Sequence, residues 1–383
     1  MRKTEILFDA SPMVDSQKTG VGYYVDQLIK NIGREYGNKN NITGYYFDFM
    51  ALNHKHQDPV AGISFQKIWL VPGKLLSLCR KLGFQPFLEF FIFKKSAATL
   101  FTNYVSIPQI NRTHKSLVVY DLGFLDCPEY IQKNNLSFLS KFCPPSIQSA
   151  DSIITISEFT KSRIKHYFPD IKAPIVVTHI PPANFEVQKV SLTKRLNSFG
   201  IRKNGYLLFV GTIEPRKNID TLVDAYCALD ESIRKNYSLV LAGGSGWDNE
   251  RMLQRINALK RDGFKILLTG YVTDEEKVAL YTNASAFVLA SHYEGFGMPI
   301  LEAMQFKLPV ILSDIPVFHE VAGDAAAYFN KDSSTDLSIL ISAVLNDKTL
   351  RKKLVNKSEG VLDKFSWTDN AKRVYELITG TMS

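Results

Sequence analysis

The sequence predicts an α/β protein built from two parallel sheets, each covered by helices. Three observations carry this. Short β-branched runs alternate with stretches of helical spacing through most of the 383 residues. The alternation pauses at a polar patch, SLTKRLNSFGIRKNG (191–205), and then restarts. Glycine-bearing turns follow several of the strands. Repetition at this pitch makes parallel strands with crossover helices, and two series make two Rossmann-like domains.

In the first series TEILFDA (4–10) reads as a strand, and VGYYVDQLIKNI (21–32) places Val21, Tyr24, Val25 and Leu28 on one helical face. KSLVVYD (115–121), DSIITIS (151–157) with a helix after it, and PIVVTHI (174–180) continue it. The second series runs YLLFVG (206–211), helix 219–229, SLVLAG (238–243), helix 249–260, KILLTG (265–270), helix 274–283, AFVLAS (286–291), helix 299–305 and PVILSD (309–314). FSWTDNAKRVYELI (365–378) reads as a closing helix. The expected domains are 1–195, 196–364, and a tail 365–383 that packs back toward the first. Ligands of such sheets bind beyond the carboxyl ends of the strands.

Composition excludes several classes. With 45% hydrophobic and 22% charged residues, the chain is neither disordered nor fibrous. Cys79, Cys127, Cys143 and Cys227 form no C-x-x-C pair, which argues against a disulfide framework or structural zinc. The opening MRKTEILFDA is charged rather than an apolar export segment, so a cytoplasmic location is expected. No run approaches the ~20 apolar residues of a membrane span. Residues 1–195 hold 24 Lys and Arg against 15 Asp and Glu, whereas residues 196–383 hold 22 against 23. A basic N-terminal half fits an anionic partner, whether phosphorylated substrate, membrane surface or nucleic acid. No recognised nucleic-acid module is present, so nucleic acid is not an expected partner.

Residues 74–95, KLLSLCRKLGFQPFLEFFIFKK, break the strand–helix pattern. Leu75, Leu78, Cys79 and Leu82 form a helical stripe flanked by Lys74, Arg80 and Lys81, and Phe84, Phe87, Phe90, Phe91 and Phe93 follow. Two readings stand: a peripheral membrane contact, or a helix packed on its own domain with a lysine rim.

The chemistry concentrates in SHYEGFGMPILEAMQ (291–305). A strand end, a glycine loop and Pro299 at a helix start aim N–H groups and the dipole's positive end at an anion. Glu294 in the loop and Glu302, expected in the first helical turn, suit hydroxyl-rich groups flanking a phosphate. Taken alone, Glu302 reads first as a residue that complements the helix dipole. A second anion-directed loop is GTIEPRKNID (211–220), where Arg216 and Lys217 precede Asn218, an expected N-cap. Gly20-Val21-Gly22 opens a helix after the first strand, but falls short of a dinucleotide fingerprint. AGGSGW (242–247) is a structural turn or lies near a base. No P-loop, H-E-x-x-H or D-x-D occurs, so no metal site and no cofactor are expected.

EGFGMPILEA with Glu294 and Glu302 eight positions apart, preceded by FVGTIEPRKN, resembles the retaining glycosyltransferases of family 4, of GT-B fold. The likeness is close over 206–330. It is looser before, at GVGYYVDQLI (20–29), VVYDLGFLDCPEY (118–130) and SEFTKSRI (157–164). It implies GT-B architecture, with two Rossmann-like domains and a deep cleft between them. Arg216 and Lys217 would hold the donor diphosphate and stabilise charge on it as the glycosidic bond breaks. Glu294 would contact sugar hydroxyls, Glu302 the ribose, and the backbone amides of Phe296, Gly297 and Met298 sugar or phosphate. Gly211 belongs to the donor loop, Gly270, Tyr271 and Val272 would lie near the base, and Gly20 and Gly22 would admit diphosphate or acceptor. Where the family carries His-Asp, this chain reads Tyr120-Asp121, and tyrosine will not carry the imidazole's positive charge. Gln305-Phe306-Lys307 replaces a common glycine turn.

The resemblance implies hexose transfer from a nucleotide sugar, GDP-mannose preferred, to a lipid-linked saccharide in O-antigen or capsule synthesis, peripheral on the inner membrane face. A UDP-sugar donor, a non-catalytic nucleotide-sugar-binding subunit and a nucleotide-sugar epimerase of the same fold are the alternatives.

Overall fold

The structure is a computed structural model that describes residues 4–14, 19–48, 59–68, 86–92, 95–111, 113–183, 185 and 194–381. The chain divides into two compact units: Met1–Asp126 with Lys133–Ile180 and Ser366–Ser383, and Cys127–Gln132 with Pro181–Phe365.

The first unit holds β1 (Thr4–Asp9), β2 (Asn40–Phe47), β3 (Ile63–Ile68), β4 (Ala98–Phe101), β5 (His114–Val119), β6 (Ser152–Thr155) and β7 (Ile175–Val177). They pair parallel throughout in the order β3-β2-β1-β4-β5-β6-β7. The second unit holds β8 (Tyr206–Val210), β9 (Ser238–Ala242), β10 (Ile266–Gly270), β11 (Ala286–Leu289), β12 (Val310–Ser313) and β13 (Ala326–Phe329), also parallel, in the order β10-β9-β8-β11-β12-β13. Strand order reverses between β1 and β4 and between β8 and β11, and the crevice at such a reversal is where doubly wound sheets take ligands.

Every residue of β8, β9, β11 and β12 is buried. Parallel strands covered on both faces read as unbroken apolar runs, which is why these four stand out in the sequence. Four further strands lack that signal. β3 and β13 are partly exposed edge strands, and β4, though wholly buried, reads ATLF with only two large apolar side chains. β2, NNITGYYF, mixes polar and aromatic residues. The Lys133–Gln148 helix carries Pro144 and Pro145 inside it, a strong signal against a helix when only the sequence is read.

The polar patch does not mark the division. It contains a short helix, Lys194–Ser198, whose Leu196 is wholly buried in the second unit, so the units part at Ile180–Pro181 rather than at 195–196. The closing helix, Trp367–Thr379, is capped by the Ser366 hydroxyl and belongs to the first unit. There Tyr375 stacks on Tyr36 at 3.7 Å, Trp367 packs against Tyr23 and Tyr24, and Asn370 Nδ2 donates to the His179 carbonyl at 2.6 Å.

Most of the 74–95 segment, including its leucine stripe, lies outside the described residues. Within Pro86–Ile92 the aromatic cluster divides. Leu88 and Ile92 are buried in the first unit's core, and Phe91 packs edge-on against Phe47 at 5.5 Å. Phe87 and Phe90 are exposed at 36% and 57% and meet each other edge-on. Phe91→Ser is therefore expected to destabilise the protein by roughly 2 kcal/mol, while Phe90→Ser stays within about 0.5 kcal/mol of wild type. Urea unfolding of both variants checks this.

Candidate active site

The site of the second unit is assembled from the loops after β8 and β11, the two strands flanking the reversal. After β8, Pro215–Lys217 forms one tight turn and Asn218 takes a left-handed conformation (φ 54°) before the Ile219–Cys227 helix. Asn218 occupies the expected cap position but does not cap with its side chain, whose Nδ2 donates to the Lys331 carbonyl at 2.8 Å. After β11 the chain runs to Gly297 (φ 108°), which opens the Met298–Gln305 helix with Pro299 in its first turn. Only glycine fits at 297: a Cβ would stand 2.8 Å from Ile300 Cδ1 and 3.0 Å from Phe318 Cε1. The first turn of such a helix presents N–H groups with no intrahelical acceptor.

These two loops meet at the Glu294 carboxylate, which is 7% exposed. Its Oε2 accepts from Arg216 Nη1 at 2.6 Å, and its Oε1 from Lys217 Nζ at 2.5 Å and Ser291 Oγ at 2.8 Å. Arg216 also donates to the Tyr293 carbonyl at 3.0 Å and to Glu214 Oε1 at 2.8 Å, and the His292 N–H donates to the Arg216 carbonyl at 2.9 Å. Gly211 adjoins the same group, since a Cβ there would lie 3.8 Å from Lys217 Cε. Behind the loop stands AGGSGW. A Cβ on Gly243 would fall 1.9 Å from the Gly211 carbonyl, and Asn249 Nδ2 donates to the Ile213 carbonyl at 3.0 Å. That glycine turn is thus a structural support for the Arg216–Lys217 loop.

Glu302 is the fifth residue of its helix, not a first-turn residue, and no acidic residue lies in the first turn. The dipole reading therefore fails. Its carboxylate is 4% exposed and accepts from Tyr281 Oη at 2.8 Å, with the Lys277 ammonium acting on it electrostatically. Val272 is buried, whereas the Tyr271 ring is 54% exposed at the end of β10. The Phe296 ring packs edge-on against Phe365 at 5.9 Å and is buried, which leaves its backbone as the part able to face a ligand. Lys307 adopts φ 57°, the left-handed conformation of the glycine it replaces, so that departure is confined to the turn.

Gly20, Gly22, Tyr120 and Asp121 belong to the first unit. Gly20 and Gly22 form the first turn of the Gly20–Tyr36 helix rather than a loop, and the Gly22 N–H is taken by the Thr19 hydroxyl at 3.3 Å. Tyr120 is 4% exposed, its hydroxyl donates to the Thr102 carbonyl at 2.7 Å, and its ring lies edge-on to Tyr24. It is a core tyrosine. Asp121, the next residue, is partly exposed, and its Oδ1 accepts from the Gly123 N–H at 3.0 Å. Sequence reasoning missed Ser291, Glu214 and Tyr281; Ser291 alone carried a signal, as the polar end of an apolar run. Among the described residues no cluster of three or more His, Cys, Asp or Glu could hold a metal ion.

The two glutamates titrate in opposite directions. Burial alone would raise both, but Arg216 and Lys217 hold Glu294 down at about 2, while Glu302 stays above the usual carboxylate range because burial outweighs Lys277. Glu294 therefore adds stability that is complete above its unfolded value near 4.5 and is lost as pH falls toward 2. Glu302 has the opposite sign, its contribution fading as pH rises through its raised value. In urea unfolding, the stability gap between wild type and Glu294→Gln is expected to stay level from pH 6 to about pH 5 and to close as pH falls below 4.5 toward 2.

Residues 194–361, which include Arg216, Lys217, Glu294 and Glu302, match the model for glycosyl transferases group 1. An O-antigen chain mannosyltransferase B of Escherichia coli is 34% identical over 269 residues, covering 68% of this chain and 69% of the relative. The serotype-specific mannosyltransferase WbdA of Escherichia coli is 29% identical over 72% of this chain, which spans only 34% of that longer protein. Among solved structures, sucrose-phosphate synthase from Thermosynechococcus elongatus superposes with a TM-score of 0.71 at 15% identity, covering 99% of both chains. WaaG, a glycosyltransferase involved in lipopolysaccharide biosynthesis, gives 0.69 at 12% identity over 98% of this chain and 100% of its own. These likenesses give the two sheets the GT-B architecture. The chain belongs to the group 1 glycosyl transferases.

Proposed function

We propose that this glycosyltransferase moves mannose from GDP-mannose to a saccharide hydroxyl, with retention of configuration and without a metal ion, on a lipid-linked acceptor in surface-polysaccharide synthesis. The observation that carries the reading is the convergence of Arg216 and Lys217 on the buried Glu294 carboxylate. In the free protein that carboxylate holds the place of an anion. When a nucleoside diphosphate arrives, its oxygens compete for the same two cations, and Glu294 becomes able to accept hydrogen bonds from sugar hydroxyls. The fixed cations then stabilise the diphosphate as the bond to the anomeric carbon breaks, a role that needs no metal. Glu302, which accepts from Tyr281, takes the ribose hydroxyls on this reading. The names of the curated relatives support mannose and O-antigen.

Phe87 and Phe90 support the membrane side of the proposal. They are exposed in a half of the chain that carries a large excess of positive charge, as a peripheral contact with anionic lipid requires. Among the described residues no helix is long and apolar enough to cross a membrane.

Thermal melting against GDP, UDP, ADP and dTDP in the presence of EDTA tests the donor. GDP at about a hundred times its dissociation constant is expected to add roughly 2.7 kcal/mol, read as a rise of several degrees, with no response to the other three. A response to UDP alone overturns the GDP-mannose assignment. Glu294→Gln is expected to bind GDP several-fold more tightly than wild type, because the competing charge is gone. The same variant should lose roughly tenfold to a hundredfold in transfer, the range of a hydrogen bond to a charged group. Phe87→Ser/Phe90→Ser is expected to stop cosedimentation with phosphatidylglycerol vesicles while leaving GDP binding unchanged.

A further inference from the structure

β10 ends in a turn that fixes one exposed ring. Its pairing with β9 slips between Leu268 and Gly270, so that Thr269 falls out of register. An irregularity of this kind bends the strand and re-aims the residues beyond it. Gly270 then turns at φ 68°, and Tyr271 leaves the strand's carboxyl end with its ring 54% exposed. One guanidinium grips this turn on both sides of Gly270. Arg195 Nη2 donates to the Thr269 carbonyl at 2.5 Å and to the Tyr271 carbonyl at 3.2 Å, and its Nη1 donates to Glu276 Oε2 at 2.7 Å. Glu276 is fixed in turn, accepting from the Thr273 N–H at 3.0 Å in the capping box of the Asp274–Asn283 helix. Burial would raise its carboxyl, but Arg195 and the Thr273 N–H hold it below the usual range.

Stability gains little from this bracing. The Arg195 side chain is 43% exposed, and an ion pair so open to water contributes little to folding. What a guanidinium supplies here is a rigid planar fork that sets the direction of the turn. The turn is also joined to the donor loops. The Gly243 N–H donates to the Gly270 carbonyl at 3.0 Å and the Gly211 N–H to the Ala242 carbonyl at 2.9 Å, so the ends of β10, β9 and β8 stand in one row. Two strand spacings set Tyr271 roughly 10 Å from the loop of Arg216 and Lys217, within the reach of a nucleoside from diphosphate to base. We propose that Arg195 is a positioning residue for the donor: by clamping this turn it holds the Tyr271 ring as the face on which the nucleotide's base stacks.

This inference rests on the nucleotide-sugar reading, and its test separates the two. Titration calorimetry with GDP and with inorganic pyrophosphate, EDTA present, compares a ligand that has a base with one that lacks it. Tyr271→Ser is expected to weaken GDP binding about tenfold and to leave pyrophosphate binding unchanged. Tyr271→Phe, which keeps the ring, is expected to restore the GDP affinity. Arg195→Ala is expected to reproduce the GDP loss, again with pyrophosphate binding unchanged and the melting temperature near wild type. Combined with Tyr271→Ser it is expected to cost nothing further, since both act through one ring. An unchanged GDP affinity in Tyr271→Ser overturns the stacking. Arg195→Ala that weakens GDP and pyrophosphate alike, that weakens neither, or whose GDP loss adds in full to that of Tyr271→Ser overturns the positioning role and leaves the donor site standing. Wild type that binds UDP in place of GDP removes the GDP-mannose assignment, and the same comparison made with UDP then decides Arg195. Wild type that binds no nucleoside diphosphate overturns the reading beneath, and the role of Arg195 with it.

Discussion

Placing a carboxylate in a protein interior costs several kcal/mol unless charge and hydrogen bonds meet it there. At Glu294 the compensation comes from Arg216 and Lys217, carried on a loop nearly eighty residues earlier in the chain. Much of the second unit follows from this requirement. β8 and β11 must be neighbours for their loops to meet, Gly297 must take a conformation only glycine tolerates, and the Gly243 turn must press against Gly211 to support the cationic loop. Ser291 and Glu214 fill the remaining hydrogen bonds of carboxylate and guanidinium. Such a cluster cannot be thinned one member at a time, because removing either charge strands the other.

On the proposed reading, the same cluster lets the site take an anion without being an open cationic patch. In the free protein the cations are already neutralised, so unselective anions gain little by binding. A ligand must offer more than one charged oxygen in the geometry the two cations share, and a diphosphate does. Glu302 is under a different constraint: the Lys277 ammonium and, after it, the Tyr281 hydroxyl favour its charged form, and together they do not offset its burial. Two glutamates eight positions apart thus occupy electrically different surroundings, one held charged by two cations and the other pushed up by burial.

Much of the fold was legible because parallel strands buried on both faces leave unbroken apolar runs. β8, β9, β11 and β12 are such runs, and the loops beyond them hold the charged residues that the motif picked out. β3 and β13 are partly exposed edge strands, and β4, though buried throughout, offers only Leu100 and Phe101 as large apolar residues. The Lys133–Gln148 helix was hidden because local propensity at Pro144 and Pro145 points away from the conformation tertiary packing supports. At the site, residue types and spacing marked Glu294, Arg216 and Lys217. Tyr281 and Glu214 gave no such mark, since a tyrosine on a helix and a glutamate in a loop are ordinary until something packs against them.

What the sequence determined by itself was the class of the protein and the location of its glycine-bearing and charged loops, because backbone turns, helix starts and charged side chains are encoded locally. What only the tertiary structure decided was which groups remain available for chemistry. Tyr120 and Asp121 are adjacent in the chain and unlike in fate: one hydroxyl is spent inside the core on Thr102, while the next residue is partly exposed and its Oδ1 accepts from the Gly123 N–H. Phe90 and Phe91 divide in the same way between solvent and core. Neighbouring side chains leave the backbone in different directions, so whether a residue reaches a ligand or the interior depends on what packs against it from elsewhere in the chain.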